Sequence, residues 1–199
     1  MNIKIIDNFA PINDQLNIKN LIQGDMYSII PSYEYHFNYS SVIDQSKILK
    51  NKLQINYPQF IKNIFNYLHK PDKTSFPMIS NPVLFTQIYI MLFNNNLANN
   101  NISRIKINTT FPYPNNTKKN YGPIHIDDDK KGSISIIYYL HNTDGDTLFF
   151  NNNSDNPKII KRVSPRQGRA VVFDSNIPHA GSCPINSPFR QVINFVLYK

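Results

Sequence analysis

The sequence has a single cysteine, no tryptophan and only six glycines among its 199 residues. Cys183 therefore has no partner for an internal disulfide, which agrees with a reducing compartment. The fourteen prolines and six glycines are too few for a collagen-like or low-complexity chain. The composition is that of a globular protein, and the length is typical of one domain.

Long hydrophobic runs are also missing. The longest, at residues 84–93, is interrupted by Gln87 and falls short of the roughly 20 residues that cross a bilayer. Residues 1–14 mix polar and acidic side chains with a short apolar run, and they lack the apolar core of a secretory signal. We therefore expect a soluble, cytoplasmic protein without a membrane partner.

Negative charge is scarce, with 13 acidic residues against 21 basic ones and a net charge of +8. A basic surface attracts nucleic acids and anionic metabolites. The lysines occur singly or in pairs, such as Lys118-Lys119 and Lys130-Lys131, and do not cluster on one element. This distribution favours a solvated basic surface, and a nucleic-acid partner stays open as an alternative.

The first hundred residues predict a short strand at 3–6 followed by a mostly helical support region. Residues 59–69 place apolar side chains at the i, i+3, i+4 spacing of an amphipathic helix. Pro82 suits the first turn of a second helix over 83–97, which a cluster of asparagines ends. Residues 43–54 form a weaker helical pattern.

After residue 100 the chain consists of short β-branched and aromatic runs separated by Asn, Asp, Gly and Pro. We predict eight strands, at 103–111, 121–127, 133–140, 147–150, 158–163, 170–173, 179–183 and 190–198. Asp144-Gly145-Asp146 predicts a hairpin turn between the third and fourth of them. The expected fold is α+β, mainly β: one domain over 1–199, with a double-stranded β-helix, or jelly roll, at 103–198 and supporting helices before it.

Candidate metal ligands lie in two of these segments. His125 and Asp127 are two residues apart on one strand, so their side chains point the same way. His179 follows the strand at 170–173. Two histidines and one carboxylate can occupy one face of an octahedral Fe(II) and leave three positions open, whereas zinc favours tetrahedral sites. By the same spacing Asp127 is preferred as a ligand over Asp128 and Asp129.

A candidate anion site accompanies the metal ligands. Arg190 begins the last strand, and its forked guanidinium can pair with a carboxylate. Ser135 and Tyr139 share a face of the strand at 133–140. A dicarboxylic cosubstrate needs a cation and hydroxyl donors at one end and the metal at the other.

In combination these residues resemble the Fe(II)/2-oxoglutarate oxygenases, and within them the prolyl 4-hydroxylase-like branch. The resemblance covers about residues 103–198, through the ordered series His125-Ile126-Asp127, Ile137-Tyr138-Tyr139-Leu140, Phe173-Asp174, His179 and Arg190. It implies Fe(II) at the three ligands and 2-oxoglutarate with its distal carboxylate on Arg190, Tyr139 and Ser135. It further implies a cosubstrate contact at Tyr113. The eleven residues from His179 to Arg190 predict a longer loop than is usual in the family.

The resemblance implies a hydroxylase that consumes 2-oxoglutarate and oxygen, acting on an organic substrate. An amino-acid side chain in a peptide or protein, with a prolyl group first, is the expected target, and a small molecule is a further candidate. Two alternatives remain: a nucleic-acid demethylase of the same superfamily and a non-enzymatic jelly-roll module that retains a metal. The demethylase is less favoured because residues 192–198 lack a second arginine.

Overall fold

The computed structural model describes residues 2–27, 36–38, 57, 59–69, 75–98, 100–151 and 156–198. The elements before residue 100 are β1 (Ile3–Ile6), α1 (Ile12–Tyr27), β2 (His36–Asn38), β3 (Gln59–His69), β4 (Ser75–Ile79) and α2 (Pro82–Asn94). They are followed by β5 (Asn101–Thr110), β6 (Ile134–Tyr139), β7 (Thr147–Phe150), β8 (Ile159–Val163), β9 (Ala170–Asp174), β10 (His179–Gly181) and β11 (Arg190–Tyr198). None of the helices described is long and apolar enough to cross a membrane.

The strands form two antiparallel sheets. The large sheet has the order β1-β9-β6-β11-β5-β3-β2, with β4 paired to β3, and the small sheet has the order β10-β7-β8. A buried cluster joins the sheets, because Val171 and Val192 of the large sheet pack with Phe149 and Val163 of the small one. We call the surface of the large sheet that meets the small sheet its inner face. The predicted jelly roll with supporting helices is confirmed.

The outer face of the large sheet is covered by the two helices. Ile18 of α1 and Ile88 of α2 belong to one cluster with Ile107 of β5 and Phe195 of β11. The large sheet therefore lies between two apolar layers, and β11 is buried along almost its whole length. Because side chains alternate between the two faces of a sheet, Ile193 and Phe195 of this central strand point to the helices and Val192 points to the inner face.

The helix predicted at 83–97 is confirmed as α2. Asn81 is its N-cap, and the Asn81 side chain accepts a hydrogen bond from the Leu84 N–H at 2.9 Å. Pro82 occupies the first turn, where a missing N–H costs nothing. The helix ends at Asn94, because Asn96 adopts a positive φ of 58°.

The helix predicted at 59–69 was wrong, because these residues form strand β3. The register of β3 against β5 shifts between Asn63 and Phe65, so a bulge interrupts the two-residue alternation. Ile64 and Phe65 are consequently both buried beside the helices, and the apolar spacing imitates a helical one. Strand β4 was not predicted, and the helical pattern at 43–54 lies outside the described residues.

Two further expectations need correction. Residues 121–127 form no continuous strand, since Pro123 has no N–H for a ladder; the segment contributes an isolated bridge between His125 and His179. The turn at Asp144-Gly145-Asp146 is not a hairpin, because β6 and β7 belong to different sheets. Gly145 does adopt the expected positive φ, 97°. The other predicted strands after residue 100 are confirmed within a few residues at their ends.

Candidate metal centre

Three side chains converge at one end of the inner face. The ligand atoms of His125, Asp127 and His179 all lie within 4.8 Å of one another. Nε2 of His179 is 3.6 Å from Oδ2 of Asp127, and the two imidazole centroids are 4.4 Å apart. Backbone hydrogen bonds of 3.0 and 2.9 Å between His125 and His179 hold the two histidines side by side. The structure thus assembles the three predicted ligands, and their binding of a metal remains a prediction.

Both histidines present the same ring nitrogen to the centre. Nδ1 of His125 lies 3.0 Å from the carbonyl oxygen of Pro123, and Nδ1 of His179 lies 3.0 Å from that of Ile177. A proton on Nδ1 donates to these carbonyls and leaves the Nε2 lone pairs free for a metal.

The charge state of the three groups suits a divalent cation. Burial, with the neighbouring His179 next in importance, lowers the pKa of His125 to about 3, and burial also lowers the pKa of His179. Burial alone would raise the pKa of Asp127, but the nearby His179 and Arg104 outweigh it and hold that pKa low. Two neutral imidazoles and a carboxylate are therefore available at neutral pH, which is the ligating state of each group.

The Asp127 carboxylate accepts hydrogen bonds from two side chains that the sequence analysis did not identify as site residues. Arg104 of β5 donates from Nη2 to Oδ1 of Asp127 at 2.8 Å. Asn194 of β11 donates from Nδ2 to Oδ2 at 3.2 Å. Such outer contacts orient a metal ligand. Asp128 is turned to its own loop, where its carboxylate accepts from the Lys130 N–H and the Ser133 hydroxyl.

A second polar cluster surrounds Arg190. The Thr147 hydroxyl accepts hydrogen bonds from the Tyr139 hydroxyl at 2.7 Å and from Nη2 of Arg190 at 2.9 Å. The Arg190 guanidinium lies 5.7 Å from the centroid of the Tyr139 ring. Burial raises the pKa of Tyr139, which therefore stays a neutral hydrogen-bond donor. Thr147 was not predicted as a site residue. Its position as the first residue of the predicted strand at 147–150 could have indicated a hydroxyl group facing the site.

The Arg190 cluster has the chemistry of an anion site. Arg190 is only 5% exposed, and its Nε has no hydrogen-bond partner. Within the described ranges no carboxylate forms an ion pair with Arg190. A buried cation without a counter-ion is costly, so this pocket favours a negatively charged ligand.

Of the two remaining predicted residues, the structure places Ser135 away from this cluster. Ser135 is fully buried and shares a hydrogen bond of 2.9 Å with Ser175. It is in register with Val196, six residues along β11 from Arg190, or about 20 Å at 3.4 Å per residue. Ser135 therefore does not join Arg190. Tyr113 is 40% exposed in the loop after β5.

Tyr57 is an aromatic neighbour of Arg190 that the sequence did not predict. Its hydroxyl donates to the Gly181 carbonyl at 2.6 Å, and burial raises its pKa. A Cβ on Gly181 would lie 3.4 Å from Nη1 of Arg190 and 3.6 Å from the Tyr57 hydroxyl. Tyr57 and Arg190 thus meet across Gly181, and no motif in the sequence marked this tyrosine.

Comparison with known proteins adds to this geometry. Residues 113–198 match the family model described as the 2OG-Fe(II) oxygenase superfamily. No curated protein sequence matches the chain at a significant level.

Several solved structures share the fold. A Pseudomonas putida prolyl-4-hydroxylase is similar with a TM-score of 0.60 and 14% identity, over 99% of this chain and 92% of that one. An oxidoreductase of the 2OG-Fe(II) oxygenase family from Burkholderia pseudomallei gives 0.59 and 11%, over 98% and 84%. The non-heme alpha-ketoglutarate-dependent epimerase SnoN from nogalamycin biosynthesis gives 0.54 and 8%, over 99% and 78%. At these identities the likeness is one of fold.

Proposed function

Because this chain belongs to the 2OG-Fe(II) oxygenase superfamily, we propose that it is an Fe(II)- and 2-oxoglutarate-dependent dioxygenase that hydroxylates an organic substrate. The superfamily predicted from the ordered series of residues is confirmed by the family model. One observation carries the proposal: the triad and the Arg190 cluster both lie between the two sheets, and β11 of the large sheet contributes to each. Asn194 of that strand contacts Asp127, and Arg190 begins it.

The residues of the triad fit a resident Fe(II). We assign its binding to the Nε2 atoms of His125 and His179 and to the Asp127 carboxylate, a donor set that leaves open coordination positions. The bound iron supplies the oxygen activation that amino-acid side chains lack. Arg104 and Asn194 hold the carboxylate in the orientation the metal requires.

The Arg190 cluster fits the distal carboxylate of 2-oxoglutarate. Arg190 supplies the charge, while Thr147 and Tyr139 supply hydroxyl groups that can turn toward the ligand. Phe149 and Phe173 pack against His179 and, with the other apolar side chains of their cluster, would exclude water from the triad. Excluding water strengthens the electrostatic interactions in the site and prevents side reactions.

For the substrate, an amino-acid side chain is our proposal. It is supported by the branch resemblance in the sequence and by the likeness of fold to the Pseudomonas putida prolyl-4-hydroxylase. The same fold is shared by enzymes named as an epimerase and a carbocyclase, so fold alone does not choose the reaction outcome. A peptide, a protein or a small molecule carrying such a side chain would be the partner.

The test is turnover of the cosubstrate. Anaerobically purified protein is loaded with Fe(II), mixed with 2-oxoglutarate and exposed to oxygen, and succinate is measured. We expect succinate formation that requires both Fe(II) and oxygen and that rises when candidate substrates are added. No succinate above that of a His179→Ala variant, together with no binding of 2-oxoglutarate to the metal-loaded protein, would overturn the proposal.

A further inference from the structure

The inner face of the large sheet is divided into an apolar and a polar half. On β6 and β9 its side chains are mostly apolar or aromatic, among them Ile137, Val171 and Phe173, and Ser135 is the polar exception. On β5 and β11 the register places Lys106 opposite Asn194, which in turn lies opposite Ile137. Directly paired residues share a face, so Lys106 points to the same interior as the metal site.

Lys106 is a buried cation for which the described residues provide no hydrogen-bond partner. It is 9% exposed, and within the described part of the chain no group accepts a hydrogen bond from its ammonium. Burial first and Arg104 second lower the pKa of Lys106 to about 7, against a smaller opposite effect of Asp127. Asn194, its register partner, donates a hydrogen bond to Asp127, so Lys106 lies beside the metal centre.

Asn108 adds an unused acceptor two residues along the same strand. Alternation puts it on the face of Lys106, about 7 Å away at 3.4 Å per residue. Its side-chain oxygen is buried and has no hydrogen-bond partner. An unmet buried acceptor is unfavourable, so this atom favours a ligand that carries an N–H or O–H group.

The charges of the site favour a further carboxylate group beside Lys106. Arg104, Lys106 and Arg190 contribute three positive charges and Asp127 one negative charge. Fe(II) and the doubly negative 2-oxoglutarate would cancel each other, so two positive charges would remain in excess, with Lys106 and Arg190 buried and Arg104 at the edge of the site. A carboxylate group beside Lys106 offsets its charge locally and stabilises the charged form of the lysine.

We propose that Lys106 and Asn108 bind the carboxylate and the amino group of the primary substrate, which is a free α-amino acid. This inference rests on the proposed function and sharpens its substrate class. In that function both carboxylates of 2-oxoglutarate already have partners, Arg190 at one end and the metal at the other. Lys106 lies four residues from Thr110, the register partner of Arg190, or about 14 Å along β5. It therefore serves a different anion from the one at Arg190.

The test separates ligand binding from turnover. Protein loaded with Mn(II) in place of iron, and therefore inactive, is first titrated with 2-oxoglutarate by calorimetry. The complex is then titrated with the common free L-amino acids, each compared with its carboxamide. We expect at least one amino acid to bind and its carboxamide to bind at least about 30-fold more weakly, as expected for loss of one partner of a buried charge pair.

Two variants locate the contact. Lys106→Met keeps the length of the side chain and removes its charge, and Lys158→Met is the control at an exposed lysine. We expect Lys106→Met to weaken the amino acid by at least about 30-fold while 2-oxoglutarate binds within about twofold of the wild type. Lys158→Met should leave both affinities unchanged. The midpoint of thermal unfolding confirms that each variant is folded, and Lys106→Arg should recover part of the amino-acid affinity.

Each other outcome is decisive. Failure of 2-oxoglutarate to bind the wild type contradicts the proposed function. If 2-oxoglutarate binds and no amino acid does, or acid and carboxamide bind equally, the amino-acid proposal is wrong. If Lys106→Met weakens 2-oxoglutarate and spares the amino acid, Lys106 belongs to the cosubstrate, and the proposal is again wrong.

Discussion

Arg104 of β5 donates a hydrogen bond of 2.8 Å to the Asp127 carboxylate, the single acidic member of the candidate metal centre. The Asp127 side chain is 2% exposed and that of Arg104 is 26% exposed. The arginine therefore connects a buried ligand to the edge of the site. Its removal would leave the carboxylate with Asn194 as its other hydrogen-bond donor in the described structure.

We predict that Arg104→Met weakens metal binding by roughly 10- to 100-fold, the usual effect of losing an outer partner of a metal ligand. Calorimetric titration with Mn(II) or Fe(II) under anaerobic conditions measures it. Arg162→Met is the matched control, because Arg162 pairs with Asp146 on the surface. Equal metal affinity in wild type and Arg104→Met would show that the contact does not orient Asp127.

His179→Ala should abolish stoichiometric metal binding, because it removes one of the three donors. His141→Ala is the control: this half-buried histidine packs edge-on against Phe189 and lies outside the triad. Metal content after loading and desalting distinguishes the two variants. Retention of a full equivalent of metal by His179→Ala would exclude this histidine as a ligand.

Arg190→Gln should weaken 2-oxoglutarate binding to the metal-loaded protein by at least about 30-fold, since it removes the buried cation of the cluster. Arg190→Lys should recover part of the affinity, because lysine keeps the charge and loses the forked geometry. Arg166→Gln, at an exposed arginine that faces Asp7, is the control. Calorimetry gives all three constants, and unchanged affinity in Arg190→Gln contradicts the assignment.

The stability of the loop before Arg190 should depend on pH through Asp144. Burial alone would raise the pKa of Asp144, but hydrogen bonds from the loop, led by the N–H of Asn186, outweigh it and lower that pKa from 3.8 to about 2. A carboxyl group whose pKa is lowered by folding stabilises the folded protein at every pH above its pKa in the unfolded chain. This contribution is lost as the pH falls from about 4 to about 2.

The variant Asp144→Asn isolates this effect. At neutral pH it should lower the free energy of unfolding by on the order of 1 kcal/mol, a figure that allows for solvent screening of a partly exposed group. The difference from wild type should shrink toward pH 2. Denaturant unfolding across this range measures it. A difference that is independent of pH would mean that the ionised carboxylate contributes nothing.

Local sequence patterns were sufficient where one strand or helix determines its own shape. Strand β11 was predicted with its observed bounds, because Asn194 alone interrupts the apolar residues from Val192 to Leu197. Helix α2 was recognisable from Asn81 and Pro82 at its start. The order of His125, Asp127, His179 and Arg190 was enough to predict the superfamily.

Long-range pairing determined what the sequence did not reveal. The bulge in β3 is defined against β5, so residues 59–69 alone imitate a helix. The segment after β6 crosses to the other sheet, and no local signal separates this crossing from a hairpin. Arg104 and Lys106 sit on a correctly predicted strand, but which side of that strand faces the metal depends on its pairing with β11.

The loop of residues 182–189, between β10 and β11, is held by the side chain of Asp144. Asp144 accepts hydrogen bonds from the N–H groups of Ile185, Asn186 and Ser187. Strand β11 takes its register from β5 and β6, which keeps Arg190 opposite Thr110. The number of residues between His179 and Arg190 can therefore change during evolution while the position of Arg190 in the sheet is preserved. Searches that demand a fixed spacing between the two would overlook such chains.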